Sequence, residues 1–126
     1  MKRTPLVRAH DLLELCGAEI WSKFEILQPT GAFKLRGATN TILQLNEDVR
    51  KRGVVASSTG NHGRAVTYAA REQNIRAVIC LSKLVPENKV KVIESLGGDV
   101  RIIGQSQDVA EAEAVRLAKE VSYQFF

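Results

Sequence analysis

Three short apolar runs, Val54-Val55-Ala56, Ala77-Val78-Ile79-Cys80-Leu81 and Val100-Arg101-Ile102-Ile103, begin 23 residues apart each time. Each is followed by apolar residues at helical spacing: Val66, Ala69 and Ala70 after the first, then Val92, Ile93 and Leu96 after the second. After the third, Ala110, Ala114, Leu117, Ala118 and Val121 make a continuous stripe. Apolar runs alternating with amphipathic helices are the pattern of βα units, whose strands are buried on both faces and pair in parallel. The spacing therefore predicts an α/β fold built on a parallel sheet. Right-handed crossovers set the loops after the strands along one sheet edge, where open α/β folds bind ligands. The loop Ser57 to Gly63, following the first run, is the one to inspect.

The first fifty residues are patterned differently. Asp11 to Cys16 reads as a short helix stopped by Gly17, and Ala18 to Leu27 alternates loosely, as a strand would. Pro29 and Gly31 interrupt it, and a helix is predicted from about Phe33, with Ala38, Ile42, Leu45 and Val49 as its apolar stripe. The polar run Asn46 to Gly53 suits a crossing point between two lobes, and Gly97-Gly98 reads as a helix C-cap. At 126 residues the chain is expected to be one domain, or one and part of another.

Composition narrows the function classes. The net charge is +4, but the charges are scattered, and the one basic cluster, Arg50-Lys51-Arg52, has no interleaved aromatics. A solvated helix end explains it better than a nucleic-acid surface. Cys16, Cys80, His10 and His62 have no metal-ligand spacing, so no metal is expected, and two unpatterned thiols fit a reducing cytosol. No stretch approaches a membrane span or a secretion signal, which makes a cytoplasmic protein without membrane partners the expectation.

Two loops can carry chemistry. In QPTGAFKLRGA, Lys34 follows a Gly-containing turn in the first turn of a helix, between Phe33 and Leu35. Burial there would favour the free amine that Schiff-base chemistry needs, as would a helix N-terminus. The competing reading is a snorkelling lysine with its stem on the core. In Ser57-Ser58-Thr59-Gly60-Asn61-His62-Gly63, a strand-to-helix turn offers converging N–H groups and hydroxyls to a carboxylate or phosphate. The competing reading is an ordinary polar capped loop. It is neither GxGxxG nor a Walker loop, and His62 lacks the elbow motif and orienting acid of a hydrolase.

Taken together, the two loops resemble the serine/threonine dehydratase family of fold type II pyridoxal-phosphate (PLP) enzymes. Glu25-x-x-Gln28-Pro29-Thr30-Gly31-Ala32-Phe33-Lys34-x-Arg36-Gly37-Ala38 is similar to that family's lysine segment, with Ala32 in place of the more usual serine. Ser58-x-Gly60-Asn61-His62-Gly63 is similar to its second hallmark, and Arg3-Thr4-Pro5-Leu6 to its opening strand.

The resemblance implies PLP as cofactor, Lys34 as the Schiff-base lysine that also moves protons at the substrate α-carbon, and Asn61 as a partner of the cofactor ring oxygen. It implies Ser58, Thr59, Gly60, Asn61 and His62 around a small amino-acid substrate, which loses its β-hydroxyl to become a 2-oxo acid and ammonia. Thr59 stands where serine racemases carry a serine, which argues against racemisation, and His62 where cysteine synthases carry a threonine. The segments STGNHGR, Leu84-Val85-Pro86-x-Asn88-Lys89-Val90 and Gly104-Gln105-Ser106-Gln107-Asp108 resemble a dehydratase subgroup tied to ectoine and hydroxyectoine utilisation.

Whole family members are much longer and homo-oligomeric, with a glycine-rich phosphate loop that is not matched here. The expectation is thus a partial fold, catalytically silent by itself. Residues 1–51 would be an N-terminal piece of the large lobe and 52–126 most of the small α/β lobe. A non-catalytic carboxylate-binding module and a β-replacing enzyme are the alternatives.

Overall fold

A computed structural model describes residues 1–58 and 60–126. The elements in chain order are β1 (Leu6–Arg8), α1 (His10–Cys16), β2 (Trp21–Lys23), a 3-10 turn (Glu25–Leu27), α2 (Lys34–Leu43) and α3 (Glu47–Arg52). The βα series follows: β3 (Val54–Ser57), α4 (Asn61–Arg71), β4 (Ala77–Leu81), α5 (Glu87–Ser95), β5 (Asp99–Ile102), α6 (Gln107–Glu120) and β6 (Gln124–Phe125). The fold is α/β on a parallel sheet, as the periodicity predicts; the sheet has four strands in the order β5-β4-β3-β6.

Alternate side chains of the central strands divide the core in two. Val54 and Ala56 of β3, with Ala77, Ile79 and Leu81 of β4, pack under α2, α4 and α5 through Leu35, Ala38, Ile42, Ala65, Val66, Ala69 and Ile93. Val55, Val78 and Cys80 face the other way, onto Ala110, Ala114 and Leu117 of α6 and onto Tyr123. This period-2 division is what burial on both faces demands of a parallel strand. At β5 the expected double burial fails: it is an edge strand, half-buried at Asp99, Val100 and Arg101 and exposed at Ile102.

The equal spacing of the runs is not the register. Val54 pairs with Ala77, an offset of 23 residues, but Val78 pairs with Asp99, an offset of 21. The two offsets differ by an even number, so the alternation of faces survives. The strand β6, which pairs Val54 with Gln124 and Val55 with Phe125, has no counterpart in the expected pattern, being only two residues long.

The stripes expected on α4 and, as far as Leu117, on α6 are buried, and those on α5 and α2 depart from expectation. On α5 the buried side chains are Val90 and Ile93, and Val92 is exposed. The stripe expected to run from Ala38 to Val49 is divided, because α2 ends at Leu43 and Val49 belongs to α3. There Asn46 caps the helix, accepting a hydrogen bond from Val49 N at 3.0 Å, and Arg50, Lys51 and Arg52 occupy the last turn, where the helix dipole favours cations. Gly17 closes α1 in the left-handed region (φ 66°) and its N–H reaches Leu13 O. Gly97 and Gly98 cap α5 as expected, donating to Glu94 O and Ile93 O.

The N-terminal segment is a two-stranded antiparallel ribbon, Leu6 opposite Lys23 and Arg8 opposite Trp21. The strand expected over Ala18 to Leu27 is only Trp21–Lys23: Phe24 N still donates to Pro5 O, but proline has no N–H to return the bond, and the chain tightens into the 3-10 turn. Among the described residues no helix is long and apolar enough to cross a membrane.

Candidate active site

Lys34 is the first residue of α2, and its neighbours in that helix decide where it points. Leu35, Ala38 and Ile42 form the buried stripe, so Lys34 lies outside it and is exposed. The embedding expected from its apolar neighbours does not occur: Phe33 is itself 61% exposed, and the Lys34 ammonium stands 5.3 Å from the centre of its ring. That distance is within cation–π range.

Lys34 and His62 line one cleft of ≈ 340 Å³, together with Phe33, Arg36, Gly37, Ala38, Thr41 and Phe126. The size falls at the small end of cavities that take small ligands. His62, in the first turn of α4, is half-buried. Burial pushes its imidazole below the ordinary value and the nearby Lys34 charge adds to this, with the Phe126 backbone opposing. The ring is therefore neutral at pH 7.

The other predicted residues lie on the loop leading to His62. Ser58 is half-buried, and its Oγ accepts from Gly60 N at 3.3 Å. Gly60 precedes α4 and Asn61 opens it, exposed and outside the lining of the cleft. Thr59 falls outside the described residues. The first N–H groups of α4 have no partners within the helix, as at any helix start. Gly63 holds the loop close to the sheet: a Cβ there would come within 3.1 Å of Ser58 O and 3.3 Å of Ile79 Cγ2. From across the sheet, Gln107 Nε2 donates to Ser57 Oγ at 2.5 Å, tying α6 to the residue before this loop.

Glu25, Gln28 and Arg36 belong to the lysine segment, and the motif alone gives them no task. The structure assigns them one. Arg36 donates twice to the Glu25 carboxylate, at 2.7 and 2.8 Å, and Thr4 Oγ1 bonds the same carboxylate. Gln28 exchanges hydrogen bonds with the Lys2 backbone at 3.0 and 2.9 Å and also reaches Glu25. The segment is thus a polar clamp that fastens the N-terminal ribbon to the start of α2. Their signal in the sequence was the opposite charge of Glu25 and Arg36, but eleven residues and a turn separate them. Phe126 in the cleft had no sequence signal at all.

The clamp has a measurable pH signature. Arg36 first, and Thr4 second, hold the Glu25 carboxyl at about 2. A carboxylate whose folded value is depressed contributes stability that is fully present above its unfolded value and is lost as pH falls through the folded one. The clamp's contribution should therefore be lost between about pH 4.5 and about pH 2. In Arg36→Gln the Glu25 carboxyl should titrate nearer 4.5, the ordinary value, and most of this contribution should be missing at every pH. An NMR titration of the Glu25 carboxyl, with Trp21 emission as a second probe, checks both.

A lone exposed amine in a largely apolar cleft fits covalent capture of an aldehyde cofactor, and Thr30 Oγ1, buried without a partner, leaves a hydrogen-bonding group free in the same loop. The lining offers little to a phosphate. Its one guanidinium, Arg36, is held by Glu25. Among the described residues no group of three or more His, Cys, Asp or Glu could hold a metal ion. Cys80 is buried in β4, where desolvation raises its thiol to about 11.

The parallel α/β sheet thus carries a lysine at the start of one helix and a glycine-bearing loop at the start of another. The family model described as "Pyridoxal-phosphate dependent enzyme" matches residues 1–126, and the chain belongs to that family. A Sinorhizobium fredii (strain NGR234) protein provisionally named threonine dehydratase is 58% identical over 118 residues, covering 94% of this chain and 36% of that protein. An L-threonine ammonia-lyase of Thermotoga maritima is 42% identical over 98% of this chain and 31% of its own length. The processed form of threonine deaminase isoform 2 from Solanum lycopersicum superposes with a TM-score of 0.93 at 31% identity, over 99% of this chain and 34% of that one. The fold is therefore that of fold type II PLP enzymes, and the chain spans about a third of the length of these relatives.

Proposed function

We propose that this chain is the part of a PLP-dependent dehydratase that carries the cofactor lysine and the substrate-carboxylate loop. The whole enzyme would turn a β-hydroxy amino acid such as threonine or serine into a 2-oxo acid and ammonia. The observation that carries this reading is the shared cleft of Lys34 and His62, with each residue inside one of the two family-like motifs.

When bound, the cofactor supplies an electron sink for charge developing at the substrate α-carbon. Lys34 Nζ, exposed in the lining of the cleft, would hold the cofactor and would take the proton from the substrate α-carbon as the β-hydroxyl leaves. The free N–H groups at the start of α4, with the Ser58 hydroxyl and the Gly60 backbone, hold the substrate carboxylate. Thr59 joins them on its motif alone. Asn61, exposed and outside the lining of the cleft, would pair its side-chain amide with the cofactor ring on its motif alone. His62, neutral and half-buried, orients the substrate without adding charge beside Lys34.

Residues 1–51 are assigned to the large lobe and 52–126 to the small one, in a cytoplasmic homo-oligomer. The motif STGNHGR, with the Leu84 to Val90 and Gly104 to Asp108 segments, argues for a substrate from ectoine or hydroxyectoine breakdown. With Arg36 held by Glu25 the cleft lining offers no free guanidinium to a cofactor phosphate, which leaves a second reading, carboxylate binding at the start of α4 without a cofactor.

Titrating PLP into the purified chain separates the two. The dehydratase reading expects an absorption band of bound cofactor that Lys34→Ala removes, with 2-oxo acid formed from L-threonine only once the rest of the enzyme body is joined. Amino-acid binding without PLP that survives Lys34→Ala would replace it with the second reading.

A further inference from the structure

The segment Gly104-Gln105-Ser106-Gln107-Asp108 leads from β5 into α6, on the far side of the sheet from α2 and α4. Val55 of β3 faces α6, so Ser57, two residues on in the same strand, presents its hydroxyl to that side. There it meets Gln107, the first residue of α6, whose Nε2 donates to Ser57 Oγ. Gln107 has little freedom to leave. Ile103 N donates to Leu81 O and Lys83 N to Gly104 O, at 2.7 and 3.0 Å, which ties this corner to the exit of β4. Gly104 has a φ of 65°, and a Cβ there would overlap Val109, so only glycine fits the corner. Ser106 caps α6 by accepting from Val109 N, and Ala110, Ala114 and Leu117 seat the helix on the sheet.

The Gln107 amide is only half used. Its Oε1 is buried and has no partner among the described residues. A buried acceptor left without a donor costs stability, and an apolar side chain of similar shape would serve packing better. Packing alone therefore does not account for the amide; what its other end holds does. Ser57 is followed directly by Ser58, whose hydroxyl accepts from Gly60 N at 3.3 Å just before α4 starts. On the opposite side Gly63 is seated against Ser58 O and Ile79. The entry to α4 is thus pinned from both faces of the sheet, by Gly63 on one and by Gln107, through Ser57, on the other.

We propose that Gln107 is a positioning residue: through Ser57 it sets where the Ser58 hydroxyl and the first N–H groups of α4 point, and so how tightly they hold a carboxylate. The inference rests on the reading of this loop as the carboxylate site. Gln107 lies outside the lining of the Lys34 cleft, so it acts through the loop and not by contact with the ligand.

The test uses L-threonine as the carboxylate probe, titrated into the purified, cofactor-free chain at constant ionic strength. Amide NMR signals of Gly60, Asn61 and His62 report binding, and urea unfolding reports stability. In Gln107→Met, which keeps the length and drops the amide, affinity should fall about tenfold while the unfolding midpoint does not fall. Ser57→Ala should weaken binding as much, and the double variant should bind no more weakly than either single one. Ser57→Thr, which keeps the hydroxyl, should bind like the unaltered chain. A Gln107→Met chain that binds as tightly as the original, or losses that add in the double variant, would overturn the proposal and leave the carboxylate site standing. No response of the three amides in the unaltered chain would overturn the reading of the site, and the proposal with it. Should Gln107→Met fail to fold, Gln107→Asn, which withdraws the amide by one methylene, decides in the same way.

Discussion

Ile42→Ala will lower the unfolding free energy by about 2–5 kcal/mol, while Leu43→Ala, one residue further along the same helix, will change it by less than about 0.5 kcal/mol. The two side chains are nearly equal in size and differ in burial. Ile42 is fully buried, in the cluster it shares with Leu35, Ala38, Val54, Ala56, Ala65 and Val66, and Leu43 is 52% exposed. Truncating Ile42 removes apolar surface from the only stripe that fixes α2 to α4 and the sheet, and leaves a cavity that rigid neighbours fill incompletely. Urea unfolding followed by far-UV circular dichroism measures both. Equal losses for the two variants would mean that α2 is held by its propensity and its clamp and not by this core. The result bears on the site as well. Lys34 opens the helix whose far end Ile42 pins, so the lysine's place in the cleft depends on this packing.

The parts of the fold legible in the sequence are those where burial on both faces imposes a local pattern. Val54 to Ala56 and Ala77 to Leu81 are central strands and show unbroken apolar runs; β5 begins at Asp99 and lies at an edge, so its pattern is weaker. Register was not legible, because loop and helix lengths absorb two residues between β4 and β5 without changing the alternation. Val92 was misassigned to a core face because one position on a helix turns the side chain through about 100°, and the stripe through Val90 and Ile93 competes with it. The strand β6 depends on long-range pairing with Val54 and Val55 and leaves no periodicity in two residues.

At the site, residue types were legible and surroundings were not. Apolar neighbours on both sides of Lys34 suggested burial, yet adjacent helical positions face different directions, and Leu35 takes the core while Phe33 and Lys34 face outward. The clamp of Thr4, Glu25, Gln28 and Arg36 joins residues up to 32 apart, which no local pattern encodes. The motif is thus both chemical and structural: its lysine faces the cleft, and its acid, amide and guanidinium hold the segment that presents it.

Borohydride reduction of the chain with PLP will label the Lys34 peptide about tenfold more than any other lysine peptide, a preference worth about 1.4 kcal/mol. Lys34→Ala and Lys34→Arg will both reduce that label to background. The arginine variant separates two explanations for capture, because it keeps the charge over Phe33 but has no primary amine to join the aldehyde. If Lys34 only attracted the anionic cofactor, arginine would preserve affinity and the label would move to another lysine. If it forms the bond, both variants lose the label together and His62→Gln keeps it. The exposure of Lys34 sharpens the test, since accessibility alone would give every exposed lysine an equal chance. Preference for Lys34 must then come from the cleft it shares with His62 and the start of α4, and equal labelling across the lysines in the peptide map would show that this cleft does not select the cofactor.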